Sequence, residues 1–511
     1  MRNNKMTKAS RLIAGIAAIS LYAGAAHAQE QITAPAEMAA PKNRAPVAKD
    51  LLQVKLPKPQ RFTLNNAAGA GGARVLVIED HTLPLITISV SVRAGSLFEG
   101  PDKRGVASMT AGLLADATTS RSYDELNLET ARIGASLGAG ADAERATVSV
   151  SGLAEDTDKL ITLLADVLMH PAFPQDRLDK AKFQAKAARA QQQTNAQFLA
   201  GQLTREVLYG ASTPYGRPTP APEQISAITR DDLQGFYSRY YVNSKDTLIG
   251  IAGDVRAKDI YAKLSKALAD WKAADPSNVD TLPAGTFTPK DKTSVYLVDR
   301  PGSAQTYLIF ANIGIKRTDP DYFSLVMANY VLGGSFNSRL NEDLRERRGY
   351  TYGVSSGMSA PKYPGTWQMG GSVRNAVTGP AAAAFISNFN SMQSAPVSQT
   401  EIDAAKRAII GSFALTLESP SSVLGRLIDV EDYGLPADYW DTYPQKLQAV
   451  TAEDIQRVTK TYLGTGRIQL IAVGQRQDIE EGLKPLGPVT VLSPDQVLSP
   501  DLTRTTENLP K

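Results

Sequence analysis

Two stretches far apart in the chain carry the same order of patterned segments. Residues 74–80 (RVLVIED) and 85–95 (LITISVSVRAG) are rich in β-branched residues and carry the alternation of strands. Residues 294–300 (SVYLVDR) and 306–315 (TYLIFANIGI) repeat that pair. Helical periods, further strands and long helical runs follow in both places. Residues 225–233 (ISAITRDDL) are echoed by 447–455 (LQAVTAEDI), with Thr229 and Thr451 each three residues before Asp232 and Asp454. That spacing predicts a helix start close to a capping box. An apolar strand that closes at a glycine comes next in each copy, in 246–255 (DTLIGIAGDV) and 467–474 (RIQLIAVG). Upstream, the segment beginning PAFPQDRLDKAK at Pro171 matches PVSQTEIDAAKR at Pro396.

An ordered repeat of this kind predicts two homologous domains. Strands grouped with helices in this way predict an α+β fold, each domain a mainly antiparallel sheet with helices packed on it. The boundaries follow composition. Residues 61–270 form the first domain, 271–291 (WKAADPSNVDTLPAGTFTPKD) a linker, and 292–484 the second domain. Residues 29–60 read as an extended arm and 485–511 as a loosely ordered, proline-punctuated tail. The length of 511 residues and the 42% apolar fraction are sufficient for two cores.

The first 28 residues read as a cleaved secretory signal. Arg2, Lys5, Lys8 and Arg11 precede the apolar run LIAGIAAISLYAGAA, and Ala26-His27-Ala28 supplies the cleavage site. Four of the 55 Lys and Arg leave with it while all 52 Asp and Glu remain, so the formal charge of +3 becomes −1. No basic stripe with interleaved aromatics survives, so nothing points to nucleic acid. No membrane span is expected after cleavage. Cysteine is absent, which excludes disulfides, thiolate metal sites and a cysteine nucleophile. An exported chain without cysteine suits a bacterial periplasm.

The candidate chemistry begins with a helix that carries none. Residues 104–126 (RGVASMTAGLLADATTSRSYDEL) place Ser108, Ala111 and Gly112, all small, at i, i+3 and i+4 of a helical period. Together with the strand EDHTLPLITISVSVRAGS before it, this stretch resembles the pitrilysin-like (inverzincin) zinc peptidases, which include mitochondrial processing peptidase. The resemblance runs from about residue 62 to 475 and covers both domains. In active members an inverted His-x-x-Glu-His motif on this helix binds zinc and supplies the base, and a later glutamate completes the ligands. At those positions this chain has Ser108, Ala111 and Gly112, and residues 180–205 contain no Asp or Glu. The resemblance therefore implies a chain that binds no catalytic zinc of its own. His81 and His170 are expected to be turn or surface residues.

The second domain keeps the family's other signature in residues 331–358 (VLGGSFNSRLNEDLRERRGYTYGVSSGM). Gly333 and Gly334 predict a flexible glycine-rich turn that could admit a substrate backbone. Residues 337–348 predict a short helix, Gly349 its left-handed cap, and 350–354 a strand. Arg345 and Tyr352 match the Arg and Tyr that active members place over the zinc from the opposite domain. The resemblance implies that Arg345 holds substrate carbonyls and that Tyr352 donates its hydroxyl to the carbonyl or oxyanion. Arg347, Arg348 and Tyr350 fit a solvated helix and hairpin without any such role.

Two functions follow from the resemblance. The first is the non-catalytic, substrate-binding subunit of a heterodimeric periplasmic zinc peptidase, acting on peptides or unfolded polypeptide beside a His-x-x-Glu-His partner that carries Zn²⁺. The second is an inert structural or peptide-binding homologue that scaffolds a partner. An autonomous hydrolase is disfavoured, since Ser108 has no histidine nearby in sequence and no G-x-S-x-G elbow occurs.

Overall fold

A computed structural model of the chain describes residues 54–65, 72–274, 287 and 290–499. The expected signal (1–28) and most of the expected arm (29–60) lie outside the described residues.

The first half builds one sheet from β1 (Gln60–Leu64), β2 (Ala73–Glu79), β3 (Leu85–Val92), β4 (Ser136–Ala141), β5 (Ala146–Leu153) and β6 (Leu248–Gly253). The second builds another from β7 (Ser294–Asp299), β8 (Gln305–Ile313), β9 (Val354–Met358), β10 (Thr366–Arg374), β11 (Gln469–Gly474) and β12 (Val489–Leu492). Their orders are β1-β2-β6-β3-β5-β4 and β12-β7-β11-β8-β10-β9. Only β2–β6, β7–β11 and β7–β12 are parallel, so both sheets are mainly antiparallel. Strands β2, β6 and β3 have β7, β11 and β8 as their counterparts, which is the repeat seen in sequence. The edge strand beside β2 or β7 differs. It comes from ahead of the first half and from behind the second.

The helices that matter for the site are α1 (Val106–Leu114), α2 (Gln175–Thr194), α3 (Ala196–Tyr209), α4 (Arg230–Tyr240), α5 (Tyr322–Leu332), α6 (Asn341–Arg347), α7 (Pro420–Tyr433), α8 (Ala452–Tyr462) and α9 (Pro494–Val497). Thr229 and Thr451 cap α4 and α8 with Asp232 and Asp454 in full capping boxes.

The halves exchange helices. From the first half, α3 lays Leu199, Leu203 and Val207 on Ile309, Ala311, Ile471 and Val473 of the second sheet. From the second, α7 packs on β6 so closely that a Cβ at Gly250 would meet Ile428 at 2.8 Å. The same helix brings Glu431 to Arg61 and Arg74, each at 3.0 Å, and Asp432 to the nearly buried Arg145. Leu56 adds a backbone bond to Asp441 at 2.9 Å. Each sheet is therefore covered in part by the other half, and the two share a core.

Three expectations change here. The segment taken as a loose tail supplies β12 and α9, because Leu492, Val497 and Leu498 complete the core beneath α3. Trp271, assigned to the linker, is buried in the first core and donates from Nε1 to the Tyr241 carbonyl at 3.0 Å. The strand expected at 350–354 starts only at Val354, since Thr351 spends its hydroxyl on the Gly353 and Ser372 carbonyls and holds the chain in a loop.

Candidate functional site

On α1, Ser108 and Gly112 lie four residues apart on one exposed stripe and line a cavity of about 490 Å³ between α1 and α2. Ala111 is wholly buried in the core beneath them. The facing wall is α2, where Lys180, Gln184, Ala188 and Gln192 recur at the turn spacing. Gly105 opens α1 at φ 91°, and the Glu99 carboxylate accepts from the N–H groups of Gly105 (3.0 Å) and Ala107 (2.9 Å). Burial pushes the Glu99 carboxyl up to about 7, against the pull of those N–H groups and of Arg104 and Arg217.

No side chain at 108, 111 or 112 can ligate a zinc ion as imidazole or carboxylate. Among the described residues no three His, Cys, Asp or Glu come together as metal ligands. His81 sits beside Asp254 after β2, and His170 lies 3.4 Å from Asp166 at the end of its own helix. The donor set of this half does not fit the family's metal.

In the second half, Arg345 and Tyr352 line a single cavity of about 430 Å³, floored by Gly370 and Gly371 of β10. Arg345 rides on α6, which is wound with π-type bonds such as Arg348 N–H to the Asp343 carbonyl (3.0 Å). The turn starts at Arg339, two residues later than its sequence suggests. Arg339 clamps it to Glu401 through two bonds of 2.6 and 2.9 Å, and to Ser391. That contact, with the Ser398 cap, holds the Glu401 carboxyl at about 2. At the other end Gly349, at φ 61°, closes a Schellman cap in which Tyr350 N–H reaches the Leu344 carbonyl at 2.9 Å.

The Arg345 guanidinium stacks 4.2 Å over Phe336, sits 3.6 Å from the Glu346 carboxylate, and makes no side-chain hydrogen bond among the described residues. Tyr352 is 93% exposed, and its hydroxyl likewise makes no hydrogen bond among the described residues. The cavity thus presents guanidinium and phenol donors to an acceptor from outside, as a carbonyl or oxyanion would require.

Sequence reasoning missed the residue that sets this geometry. Asn341 is nearly buried, accepts from Val354 N–H at 3.1 Å and donates to the Val354 carbonyl at 2.9 Å, with further bonds to Ser335 and Ser338. Its only signal was an asparagine on the inner side of a charged helix. The role expected for Gly333 and Gly334 also changes. Neither lines the cavity, and the turn is packed rather than flexible. A Cβ at Gly333 would meet Ser356 N at 2.6 Å, and one at Gly334 would meet Tyr330 Cα at 2.8 Å. Gly333 lets β9 approach α5, where Ser356 N–H bonds the Gly333 carbonyl at 2.9 Å, and Gly334 lets the chain fold back against the last turn of α5.

Comparison with known proteins agrees with this division. Residues 74–222 match the family model described as Insulinase (Peptidase family M16), and residues 227–409 match Peptidase M16 inactive domain. The chain is 26% identical to the "Non-peptidase homolog YmxG" of Helicobacter pylori over 401 residues, covering 76% of this chain and 89% of that one. It is 23% identical to the "Uncharacterized zinc protease YmxG" of Bacillus subtilis, covering 72% and 86%. A solved structure of a peptidase M16 inactive domain from Pseudomonas fluorescens superposes with a TM-score of 0.73 at 27% identity, covering 82% of this chain and 98% of that one.

Proposed function

Because this chain belongs to peptidase family M16, the insulinase or pitrilysin-like family, we propose that it is the non-catalytic, substrate-binding subunit of a heterodimeric periplasmic zinc metalloendopeptidase. One observation carries the reading. The half that lacks metal ligands shares a core with a half whose Arg345 and Tyr352 line one cavity and make no side-chain hydrogen bond among the described residues. Among the described residues, neither spends a hydrogen bond on this chain's own fold. A partner with the His-x-x-Glu-His motif would carry Zn²⁺ and its water. Arg345 would hold a carbonyl of a bound peptide, and Tyr352 would donate to the oxygen on which charge develops. Assembly of these donors over the partner's site would make hydrolysis depend on closure of the two chains.

A second reading, an inert scaffold or peptide-binding homologue, is favoured by the name of the Helicobacter relative, a non-peptidase homolog.

The test is elemental analysis and peptide hydrolysis by the chain from Gln29 onward, alone and after mixing with a His-x-x-Glu-His homologue from the same organism. The expected result is no stoichiometric zinc and no cleavage alone, with one zinc per heterodimer and cleavage on mixing. One zinc bound per isolated chain overturns the assignment. A stable complex without cleavage favours the scaffold.

A further inference from the structure

The groove between α1 and α2 has lost its metal ligands but has not closed. Its cavity of about 490 Å³ falls within the roughly 300–1,000 Å³ typical of small-ligand sites. Its charge is one-sided. Asp116, the one carboxylate in its wall, is held by Arg177 at 2.7 Å. Lys180 is exposed on α2 and enters no ion pair among the described residues.

Arg189 is the telling residue. It lines the groove yet is only 7% exposed, and no carboxylate lies within ion-pair distance of it among the described residues; Asp495 and Glu223 act on its charge from farther away. Its Nη2 donates to the Leu498 carbonyl at 2.9 Å, while Nε and Nη1 have no partner among the described residues. A guanidinium does not shed its proton in a protein, so burial cannot be relieved by neutralisation. Buried, unspent N–H donors require an acceptor. The N-terminus of α1 does not serve an anion, since Glu99 already occupies it.

We propose that this groove binds a carboxylate, with Arg189 and Lys180 as its counter-ions. The Ser108 hydroxyl and the Gln184 and Gln192 amides supply the remaining hydrogen bonds. Engagement turns the guanidinium from the Leu498 carbonyl toward the groove. The space accommodates a small dicarboxylate or an acidic side chain of a polypeptide with its neighbours. This assignment is independent of any zinc-bearing partner, because it concerns the isolated chain.

Isothermal titration of the chain from Gln29 onward with succinate, and with blocked Ala-Glu-Ala and Ala-Gln-Ala peptides, tests it. At least one carboxylate ligand should bind saturably at one per chain. Succinate alone would indicate a free small molecule, and the Glu peptide a polypeptide source. The Gln peptide should bind at least tenfold more weakly than the Glu peptide. Lys180→Glu and Arg189→Met should each weaken binding at least tenfold. Gly112→Leu, placed where a Cβ meets nothing within 4 Å, should block the groove without harming the fold. No saturable binding of either carboxylate overturns the proposal, as does equal binding of the Gln peptide. Unchanged affinity in both Lys180→Glu and Gly112→Leu, with unchanged melting temperatures, also overturns it.

Discussion

Asn341 holds both backbone polar groups of Val354, the N–H at 3.1 Å and the carbonyl at 2.9 Å. One side chain thereby acts as a strand neighbour to the first residue of β9. The bond pair ties the α6 turn, which carries Arg345, to the loop that carries Tyr352. The spacing of the two donors around their cavity follows from this latch more than from either donor's own contacts.

Asn341→Ala should therefore harm both stability and site. It leaves two backbone groups of Val354 unpaired in a nearly buried position, a loss of about 2–6 kcal/mol at 1–3 kcal/mol for each. Urea unfolding measures it, and a loss under 0.5 kcal/mol would mean the latch is not holding the loop.

Arg345→Ala and Tyr352→Phe should behave in the opposite way. Among the described residues neither side chain makes a hydrogen bond, Arg345 has only a long ion pair to Glu346 and its stack on Phe336, and Tyr352 is open to solvent, so each variant should unfold within about 0.5 kcal/mol of the parent. A large destabilisation in the same urea assay would show that these residues serve the fold.

The halves should unfold together. Leu203 of α3 is fully buried against the second sheet, and Leu203→Ala should cost about 2–5 kcal/mol. Trp271 lies in the first half and Trp367 and Trp440 in the second, all buried, so single-tryptophan variants can follow each half. Their transitions should coincide and shift together in Leu203→Ala. Separate midpoints would contradict the shared core.

Two carboxyls give opposite pH signatures. Glu401, at about 2 when folded because Arg339 grips it, contributes stability that is present above its ordinary value near 4.5 and fades as pH falls toward 2. Glu401→Gln should be less stable at pH 6 by roughly 1–2 kcal/mol after allowance for its partial exposure, and the difference should shrink by pH 3. Glu99, raised to about 7 by burial, keeps a proton that the unfolded chain has released above 4.5, so its contribution falls as pH rises from 4.5 to 7. Glu99→Gln should flatten that fall, which is at most about 3 kcal/mol. Parallel pH–stability curves for the parent and both variants would refute these assignments.

What could be read from the sequence was local. Strand alternation, the Thr229 and Thr451 capping boxes and the Gly349 cap each lie within a few residues of their cause, and all appear as expected. The pairing of Arg345 with Tyr352 at one cavity was reached by resemblance, because nothing in residues 345–352 says where the helix and loop meet. Long-range closures were hidden. The four residues of β12 sit between prolines and take their meaning from β7, nearly two hundred residues earlier. The exchange of α3 and α7 joins segments on opposite sides of the repeat, so each helix read as part of its own half. Arg189 looked like one more cation on a polar helix until the Leu498 carbonyl and the groove enclosed it.

In the proposed heterodimer, Arg345 and Tyr352 act as carbonyl-binding donors at a zinc site on another chain. The most direct measurement is kcat for peptide hydrolysis by the mixed heterodimer, with zinc content and complex formation monitored in parallel. Arg345→Ala and Tyr352→Phe should each lower kcat by about 10²–10³, the scale of losing one oxyanion-stabilising donor, while zinc content and assembly stay unchanged. Full activity in both variants would show that neither residue takes part in hydrolysis.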